Sequence, residues 1–464
     1  MKKSLHRSFF LSPSLKISEK EELGRFYCFD GQDEKVVVGG NNKKELILSS
    51  KLSSSVIIHQ EIPVGMLLLK EKPFCFCVSE EQRSRICNYC FREKSEGMKL
   101  SRCKACKYSH YCSMECYNAD QHLVECKALQ KHPQVTNSMR LMLKCFLNCK
   151  TAEDVEKIEN LSPKESLKGI DDLKQLAILF CDYVKELDLS TICFIGHRNT
   201  DVDYLYLLFQ KVQRNTFSIC NDEMNVIGSG LYFHASMFNH SCVPNCTILF
   251  DSNKNIYTRV IKSNIKAGEP LTINYIDLLD VTPNRQQKLK KQYHFTCQCS
   301  RCASSDDPEE RNALVEGMLE MANDFKKKNQ LDKAIDCYSR IVSKKKSSPK
   351  LFHDIYMGIA LNALAHNYVE LGKFEIAYPY AVESLAFLEK YYPEFYPILG
   401  LQYLMCAKLG AYLEEEQTIN TFPPITQHGS RQYFEKAFPI LSKLFIHEDN
   451  TPFDVIKRNQ ISLN

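Results

Sequence analysis

Eight metal-ligand side chains fall within one 40-residue stretch: Cys87, Cys90, Cys103, Cys106, Cys112, Cys116, His122 and Cys126. They read as C-x2-C, C-x2-C, C-x3-C and H-x3-C, enough donors for two tetrahedral ions. A short loop or one helical turn sets each pair on an ion, and zinc takes this mix of thiolate and imidazole. The stretch holds few large apolar side chains, so it cannot bury a core of its own. Metal binding must then supply much of its folding free energy. Disulfides or scattered core cysteines do not account for such spacing. Two structural zinc ions are the expectation.

Cysteine-rich modules of this size usually interleave their pairs. Cys87, Cys90, Cys112 and Cys116 are therefore assigned to one zinc, and Cys103, Cys106, His122 and Cys126 to the other. With all eight ligands present, as CNYC, CKAC, YCSMEC and HLVEC, the stretch resembles a MYND zinc finger. Such fingers bind short proline-containing peptides, and some carry basic faces. Lys99, Arg102, Lys104 and Lys107 surround the ligands here, which admits a weak DNA contact.

The rest of the chain has room for conventional cores. Its 464 residues, 44% hydrophobic, predict roughly two to four domains. A net charge of +4 gives no strong pull toward nucleic acid. Twenty-two cysteines in a chain this long, with zinc spacing, imply a reducing compartment. No apolar run reaches the ~18 residues of a membrane span, so no membrane partner is expected. The first 18 residues carry Lys2, Lys3, Arg7 and Lys16 and no acid, a composition that suits a disordered tail better than an organelle leader.

A second cluster lies further on. Phe238-Asn239-His240-Ser241-Cys242-Val243-Pro244-Asn245-Cys246 comes after an apolar stretch, and Lys266-Ala267-Gly268-Glu269-Pro270-Leu271-Thr272-Ile273-Asn274-Tyr275 reads as a turn and strand. Cys297, Cys299 and Cys302 form C-x-C-x2-C, which supplies only three ligands. Zinc takes a fourth, and Cys242 is an available donor that would fasten the 297–302 loop over residues 239–242. Cys246 reads as a buried residue rather than a ligand.

These landmarks resemble a SET domain. NHSCVPNC is similar to the family's NHS-C-x-PN segment, the run ending at Tyr275 to the segment with its catalytic tyrosine, and CQCSRC to its post-SET zinc loop. A MYND finger inserted in a SET domain, with a helical C-terminal region, marks the SMYD family. NTFSICNDEM at 215–224 and QYHFTCQC at 292–299 are similar to members without an N-terminal repeat array. The resemblance runs from about Val56 to about Cys302 and more weakly to the end. It implies a protein-lysine N-methyltransferase using S-adenosyl-L-methionine, acting on histone tails or non-histone proteins. It places Tyr275 at the inner end of a lysine channel and Asn239, His240 and Asn215 against the cofactor. Phe295 would stack near the adenine.

Such a site needs no metal for the chemistry. It must hold a neutral lysine amine in line with an activated methyl group. An apolar channel and a neighbouring sulfonium both disfavour the ammonium form.

One departure stands out. The family opens its SET domain with a Gly-rich G-x-G segment. Aligning Ile62–Leu68 with the family's next strand puts Ser53, Ser54 and Ser55 where those glycines belong, and serine suits close backbone approach poorly. Gly24 and the Gly39-Gly40 pair lie at the wrong distance. This departure keeps an alternative function open: a catalytically weakened adaptor that recruits proteins through its finger and helical repeats.

The expected fold is α+β and multidomain, a β-rich SET fold split by the finger and a helical insert. Its parts are an N-terminal extension over 1–44, a first SET lobe over 45–86, the finger over 87–126, a helical insert over 127–225, the SET core over 226–277, a post-SET zinc loop over 278–303 and a TPR-like helical domain over 304–464. In the insert, Met139, Leu141, Met142, Cys145 and Phe146 recur near helical spacing, as do Leu173, Leu176, Leu179 and Tyr183. Asn253-Lys254-Asn255 reads as a hairpin turn. Ala322, Phe325, Leu331 and Ala334 recur as Ala365, Tyr368, Phe374 and Ala377, the pattern of stacked helix pairs with small residues at the crossings. Leu401, Leu404, Leu409 and Gly410 suggest a looser third unit. Lys326–Lys328 and Lys344–Lys346 read as solvated faces. Three zinc ions, a monomer, and residence in cytoplasm and nucleus complete the expectation.

Overall fold

The computed structural model describes residues 62–94, 98–120, 122–163, 171–185, 187, 201–266, 269–304, 311–415 and 429–445, with the backbone of strands at 35–38, 44–49 and 55–57. The chain runs through β1 (Lys35–Val38), β2 (Lys44–Ser49), β3 (Ser55–Ile57), β4 (Leu67–Glu71) and β5 (Cys75–Val78) into the cysteine-rich stretch. There it forms β6 (Ser101–Arg102), β7 (His110–Tyr111), α1 (Met114–Ala119) and α2 (His122–Lys131). Next come α3 (Asn137–Asn148), α4 (Ala152–Glu159), α5 (Asp171–Lys185) and α6 (Val202–Asn215). Six strands succeed them: β8 (Thr216–Cys220), β9 (Val226–Leu231), β10 (Asn239–His240), β11 (Cys246–Phe250), β12 (Ile256–Val260) and β13 (Pro270–Ile273). The remainder is helical: α7 (Thr282–Tyr293), α8 (Ser300–Ala303), α9 (Ala313–Lys327), α10 (Leu331–Ser347), α11 (Asp354–Glu370), α12 (Phe374–Tyr391), α13 (Pro397–Glu415) and α14 (Gly429–Leu444). No helix among the described residues is long and apolar enough to cross a membrane.

The chain divides into two compact units. One draws on the segments up to Met66, Asn239–Thr247 and from Arg259 onward; the other comprises Leu67–Phe238 and Ile248–Thr258. In the first unit a sheet runs in the order β1-β2-β3-β13-β10. β13 is antiparallel to β3 and parallel to β10, so two distant segments meet on its two edges. The strand β1 lies inside the stretch read as an N-terminal extension; its Lys35-Val-Val-Val38 run pairs with β2 from Lys35↔Ile47 to Val38↔Lys44. Ser53, Ser54 and Gly24, and the Gly39-Gly40 pair, lie outside the described residues, and of the serine triplet only Ser55 is described, within β3. Ile62–Met66 is a turn rather than strand: Met66 N–H donates to Pro63 O at 3.2 Å, and Gly65 has φ +87°.

Gly65 also meets the last turn of α14, where an added Cβ would lie 2.9 Å from Lys443 Cβ. Gly65→Ala should destabilise the protein by about 1–3 kcal/mol, through positive φ and overpacking together. A thermal melt checks it, and an unchanged midpoint would count against this docking.

The C-terminal helices stack as sequential neighbours, α9 on α10, α11 on α12 and α13 on α14. Each quartet of the sequence repeat spans the end of one helix and the start of the next. Ala322, Ala334, Ala365 and Ala377 are fully buried at these crossings, where a larger residue would hold the helices apart. The third unit differs, because Leu401, Leu404, Leu409 and Gly410 all lie on the single helix α13. Just past the boundary expected between 303 and 304, residues 305–310 lie outside the described residues. The lysine runs sit at the C-terminal ends of α9 and α10, where cations complement the helix dipole. Lys345 is buried and paired with Asp354 at 2.8 Å, so this run is not simply a solvated face.

In the second unit β5, β9 and β8 form an antiparallel sheet. Residues 216–220, included in the helical reading of the insert, are the strand β8. Thr216, Phe217 and Ile219 favour a pleated surface, and pairing to β9 decides the matter. Helix α3 is buried continuously from Met139 to Leu147. On α5 the buried stripe is Leu173, Ala177, Phe180, Tyr183 and Val184, while Leu179 is 57% exposed. Strict three-residue steps drift off a 3.6-residue face, and that drift carries Leu179 out of the core. The hairpin turn stands as read: Lys254 has φ +66°, and Asp251 accepts the Asn253 and Asn255 N–H groups.

Candidate active site and zinc sites

Parallel pairing places Asn239 opposite Thr272 and His240 opposite Ile273. Ser241 N–H extends the contact to Ile273 O at 3.0 Å. The buried Asn245 then stitches the two segments together. Its Nδ2 donates to Pro270 O (2.9 Å) and Glu269 Oε1 (3.3 Å), and its Oδ1 accepts from Thr272 N–H (2.7 Å). The segment ending at Tyr275 is thereby held beside residues 239–241.

His240 reaches directly to this strand end. Tyr275 N–H donates to His240 Nδ1 at 3.0 Å, and His240 Nε2 lies 3.3 Å from Cys242 Sγ. Burial pushes the imidazole down to about 4, so it is neutral at physiological pH. Three rings pack around Tyr275: between centroids it lies 4.7 Å from Tyr293, 5.4 Å from His240 and 6.5 Å from Phe295. Burial, and then the nearby Tyr293 hydroxyl, raise Tyr275 well above the ordinary phenol value. It is therefore a neutral phenol, able to orient a hydrogen-bonding group but not to act as a phenolate base.

The expected site residues thus divide. Asn239, His240, Tyr275 and Phe295 all belong to the first unit. Both His240 ring nitrogens are engaged within the protein, and its ring packs 5.4 Å from Tyr275 and 6.0 Å from Phe295. Asn215 belongs to the second unit, where its Nδ2 donates to Ser162 O (2.8 Å) and Lys211 O (2.7 Å). Sequence reasoning misses Tyr293 and Asn245. The PN pair in NHSCVPNC is the available signal for Asn245; for Tyr293 there is none beyond its place in QYHF.

Helix α7 delivers the zinc loop. It ends at His294 in the left-handed conformation, φ +58°, which turns the chain toward Cys297. Gln286 clamps the Cys297 backbone, accepting its N–H at 2.9 Å and donating to its carbonyl at 2.8 Å. Cys242, Cys297, Cys299 and Cys302 then lie with their sulfurs within 4.8 Å of one another.

Two further groups of four occupy the second unit in the interleaved pairing: Cys87, Cys90, Cys112 and Cys116, and Cys103, Cys106, His122 and Cys126. The residue after each C-x2-C, Phe91 (φ 61°) and Lys107 (φ 54°), takes the left-handed conformation, which folds the loop tightly enough to converge both sulfurs. Cys116 lies in the first turn of α1, where Ser113 Oγ accepts its N–H, and His122 and Cys126 lie four residues apart on one face of α2. Donor pairs stand 3.5–3.8 Å apart across Cys90–Cys112, Cys112–Cys116, Cys103–Cys126, Cys106–His122 and Cys242–Cys302. A tetrahedral zinc with bonds near 2.3 Å has edges of about 3.8 Å. All three groups fit zinc.

The finger is fixed within its unit by buried ion pairs. Arg140 on α3 makes two bonds to Glu125 on α2 (2.8 and 3.0 Å), and both side chains are fully buried. One turn along, Lys144 Nζ meets Asp120 Oδ1 at 2.7 Å, and Tyr111 and Asn88 donate to Asp120 Oδ2. On another face, Lys254 sets its ammonium over Phe76 (4.9 Å), Phe91 (5.5 Å) and Tyr89 (5.9 Å).

Comparison with known proteins places these features. Residues 42–276 match the SET domain family model. The chain is 30% identical over 365 residues to histone-lysine N-methyltransferase SMYD3 of Mus musculus, covering 74% of this chain and 82% of that protein. It is 30% identical over 256 residues to N-lysine methyltransferase SMYD2 of Homo sapiens, covering 53% and 57%. Over 277 residues it is 28% identical to histone-lysine N-methyltransferase ASHR1 of Arabidopsis thaliana, covering 57% and 56%.

Proposed function

The chain belongs to the SMYD branch of the SET-domain family, and from that premise we propose that it is a protein-lysine N-methyltransferase using S-adenosyl-L-methionine. The observation that carries this reading is the half-buried neutral phenol of Tyr275, set among the rings of Tyr293, Phe295 and His240. The residues suit such a cofactor: Asn239 is exposed beside half-buried aromatic faces that favour a purine and a cation. S-adenosyl-L-methionine, when bound, supplies a methyl group already activated on sulfur. Asn239, His240 and Phe295, all of the first unit, would hold it. The aromatic walls strip water from an entering lysine amine and lower its pKa toward the neutral, nucleophilic form. The Tyr275 hydroxyl orients that amine.

The substrate is a lysine on a histone tail or a non-histone protein. Three zinc ions hold the finger and the 297–302 loop, the finger takes proline-containing peptides with DNA at most a weak partner, and the protein acts as a monomer in cytoplasm and nucleus. Metal analysis should find three zinc ions per chain, and two after Cys242→Ala. An unchanged count in that variant would reject Cys242 as a ligand.

The deciding experiment titrates S-adenosyl-L-methionine calorimetrically into zinc-loaded full-length protein. Micromolar binding, then labelled methyl transfer to histone tails or other lysine-bearing proteins, is expected. A folded protein that binds none would favour the adaptor. The pH profile adds a check. Since Tyr275 is raised, it keeps its proton throughout, so the rate should climb as the substrate lysine deprotonates. No falling limb from Tyr275 should appear up to about pH 10. A falling limb that Tyr275→Phe abolishes would refute this assignment.

A further inference from the structure

Two N–H groups converge on the buried sulfur of Cys242. Arg285 Nε lies 3.3 Å away, and His240 Nε2 also 3.3 Å. The direction of the second contact is set by the other side of the ring. Tyr275 N–H can only donate, so His240 Nδ1 accepts and carries no proton. A neutral imidazole then has its proton on Nε2, which donates to Cys242. Arg285 reaches further: its Nη2 lies 3.5 Å from Cys302 Sγ and 3.1 Å from Thr282 Oγ1, and its Nη1 donates to Asp280 O at 2.6 Å. Its side chain is fully buried at 0% exposure, one turn into α7.

Charge explains why a cation belongs there. Zinc with four thiolates has a net charge of −2, and burial makes that charge costly unless donors and a counter-charge surround it. The planar guanidinium can reach two sulfurs and the α7 N-terminal turn at once, which an ammonium cannot.

We propose that Arg285 is a positioning residue that balances the charge of the third zinc-cysteine group, bridges Cys242 and Cys302, and through Cys242 and His240 holds the Tyr275 end of β13 in place. The proposal rests on zinc occupying Cys242, Cys297, Cys299 and Cys302. Thiolate hydrogen bonding thereby joins a structural metal site to the reacting end of the molecule in three steps: Arg285 to Cys242, Cys242 to His240, His240 to the Tyr275 backbone.

The test uses full-length, zinc-loaded protein and R285Q and R285K. With a competing chelator, R285Q should lose one zinc of its three about 10–100-fold faster than the wild type, with the finger zincs unchanged. R285K, keeping the charge but reaching one sulfur, should fall between. In cobalt-substituted protein the sulfur-to-metal charge-transfer band of that site should shift in R285Q, a change that loosened packing alone would not produce. Three zincs in the wild type, with equal loss rates and identical cobalt spectra in R285Q, would overturn the proposal. Two zincs in the wild type would instead remove the metal reading beneath it. Should R285Q fail to fold, R285K decides alone, and wild-type behaviour in both readouts would sink the bridging role.

Discussion

Tyr275→Phe should lower kcat by about two to four orders of magnitude while leaving the affinity for S-adenosyl-L-methionine within about threefold. The substitution removes one oxygen and little else. The ring remains to pack on Tyr293 at 4.7 Å and His240 at 5.4 Å, and the backbone N–H still donates to His240. Fold and ligand pocket should therefore persist. On the function proposed above, the hydroxyl would align the amine as the new bond forms, an interaction stronger in the transition state than in the ground state. Single-turnover methyl transfer alongside calorimetric binding separates the two quantities. A variant within threefold of wild-type turnover would remove Tyr275 from the chemistry, whereas lost binding would recast it as a cofactor-site residue.

Arg140→Met should destabilise the protein by about 3–5 kcal/mol, the usual cost of stranding one member of a buried ion pair. Burial alone disfavours a charged Glu125. The charge and hydrogen bonds of Arg140 outweigh that penalty and hold the carboxyl down at about 2. Without Arg140, Tyr183 OH at 3.2 Å is the donor to Glu125 that remains among the described residues. Because α2 also carries His122 and Cys126, the finger should release zinc at lower denaturant concentration in this variant. Adding Glu125→Gln should recover a substantial part of the loss, since no buried charge is then left unpaired. Urea titrations of the single and double variants measure both effects. A single-variant loss below about 1 kcal/mol would mean that water reaches Glu125.

The reach of the sequence has a physical basis. Metal ligands are legible because zinc demands four donors at short spacings, and each C-x2-C states its geometry locally. Cys242 can be found by counting to four, although it stands far from its partners. Arg140, Glu125 and Arg285 give no such signal. Each looks like an ordinary charged residue on a helix until distant segments bury it, and only tertiary structure decides that. Tyr293 is of the same kind, being defined by what packs on it, whereas Asn245 has a signal in the PN pair of NHSCVPNC. Leu179 and the strand at Thr216–Cys220 mark the other limit, where local periodicity is taken in slightly the wrong phase or extended too far.

The pairing of Val56 with Leu271 also sets a timetable for the newborn chain. About 200 residues separate β3 from its partner β13. At about 5–20 residues per second, translation delivers that partner about 10–40 s later. Until then β1, β2 and β3 form a hairpin-and-strand ribbon with an open edge, a template for mispairing with other nascent chains. The intervening unit has all eight finger ligands and its own sheet, so it can close and take up two metal ions during the wait. The last metal site cannot assemble before Cys302 emerges. If zinc fills the three groups as proposed, topology orders its uptake: both finger groups are complete once Cys126 is made, and the third only at Cys302.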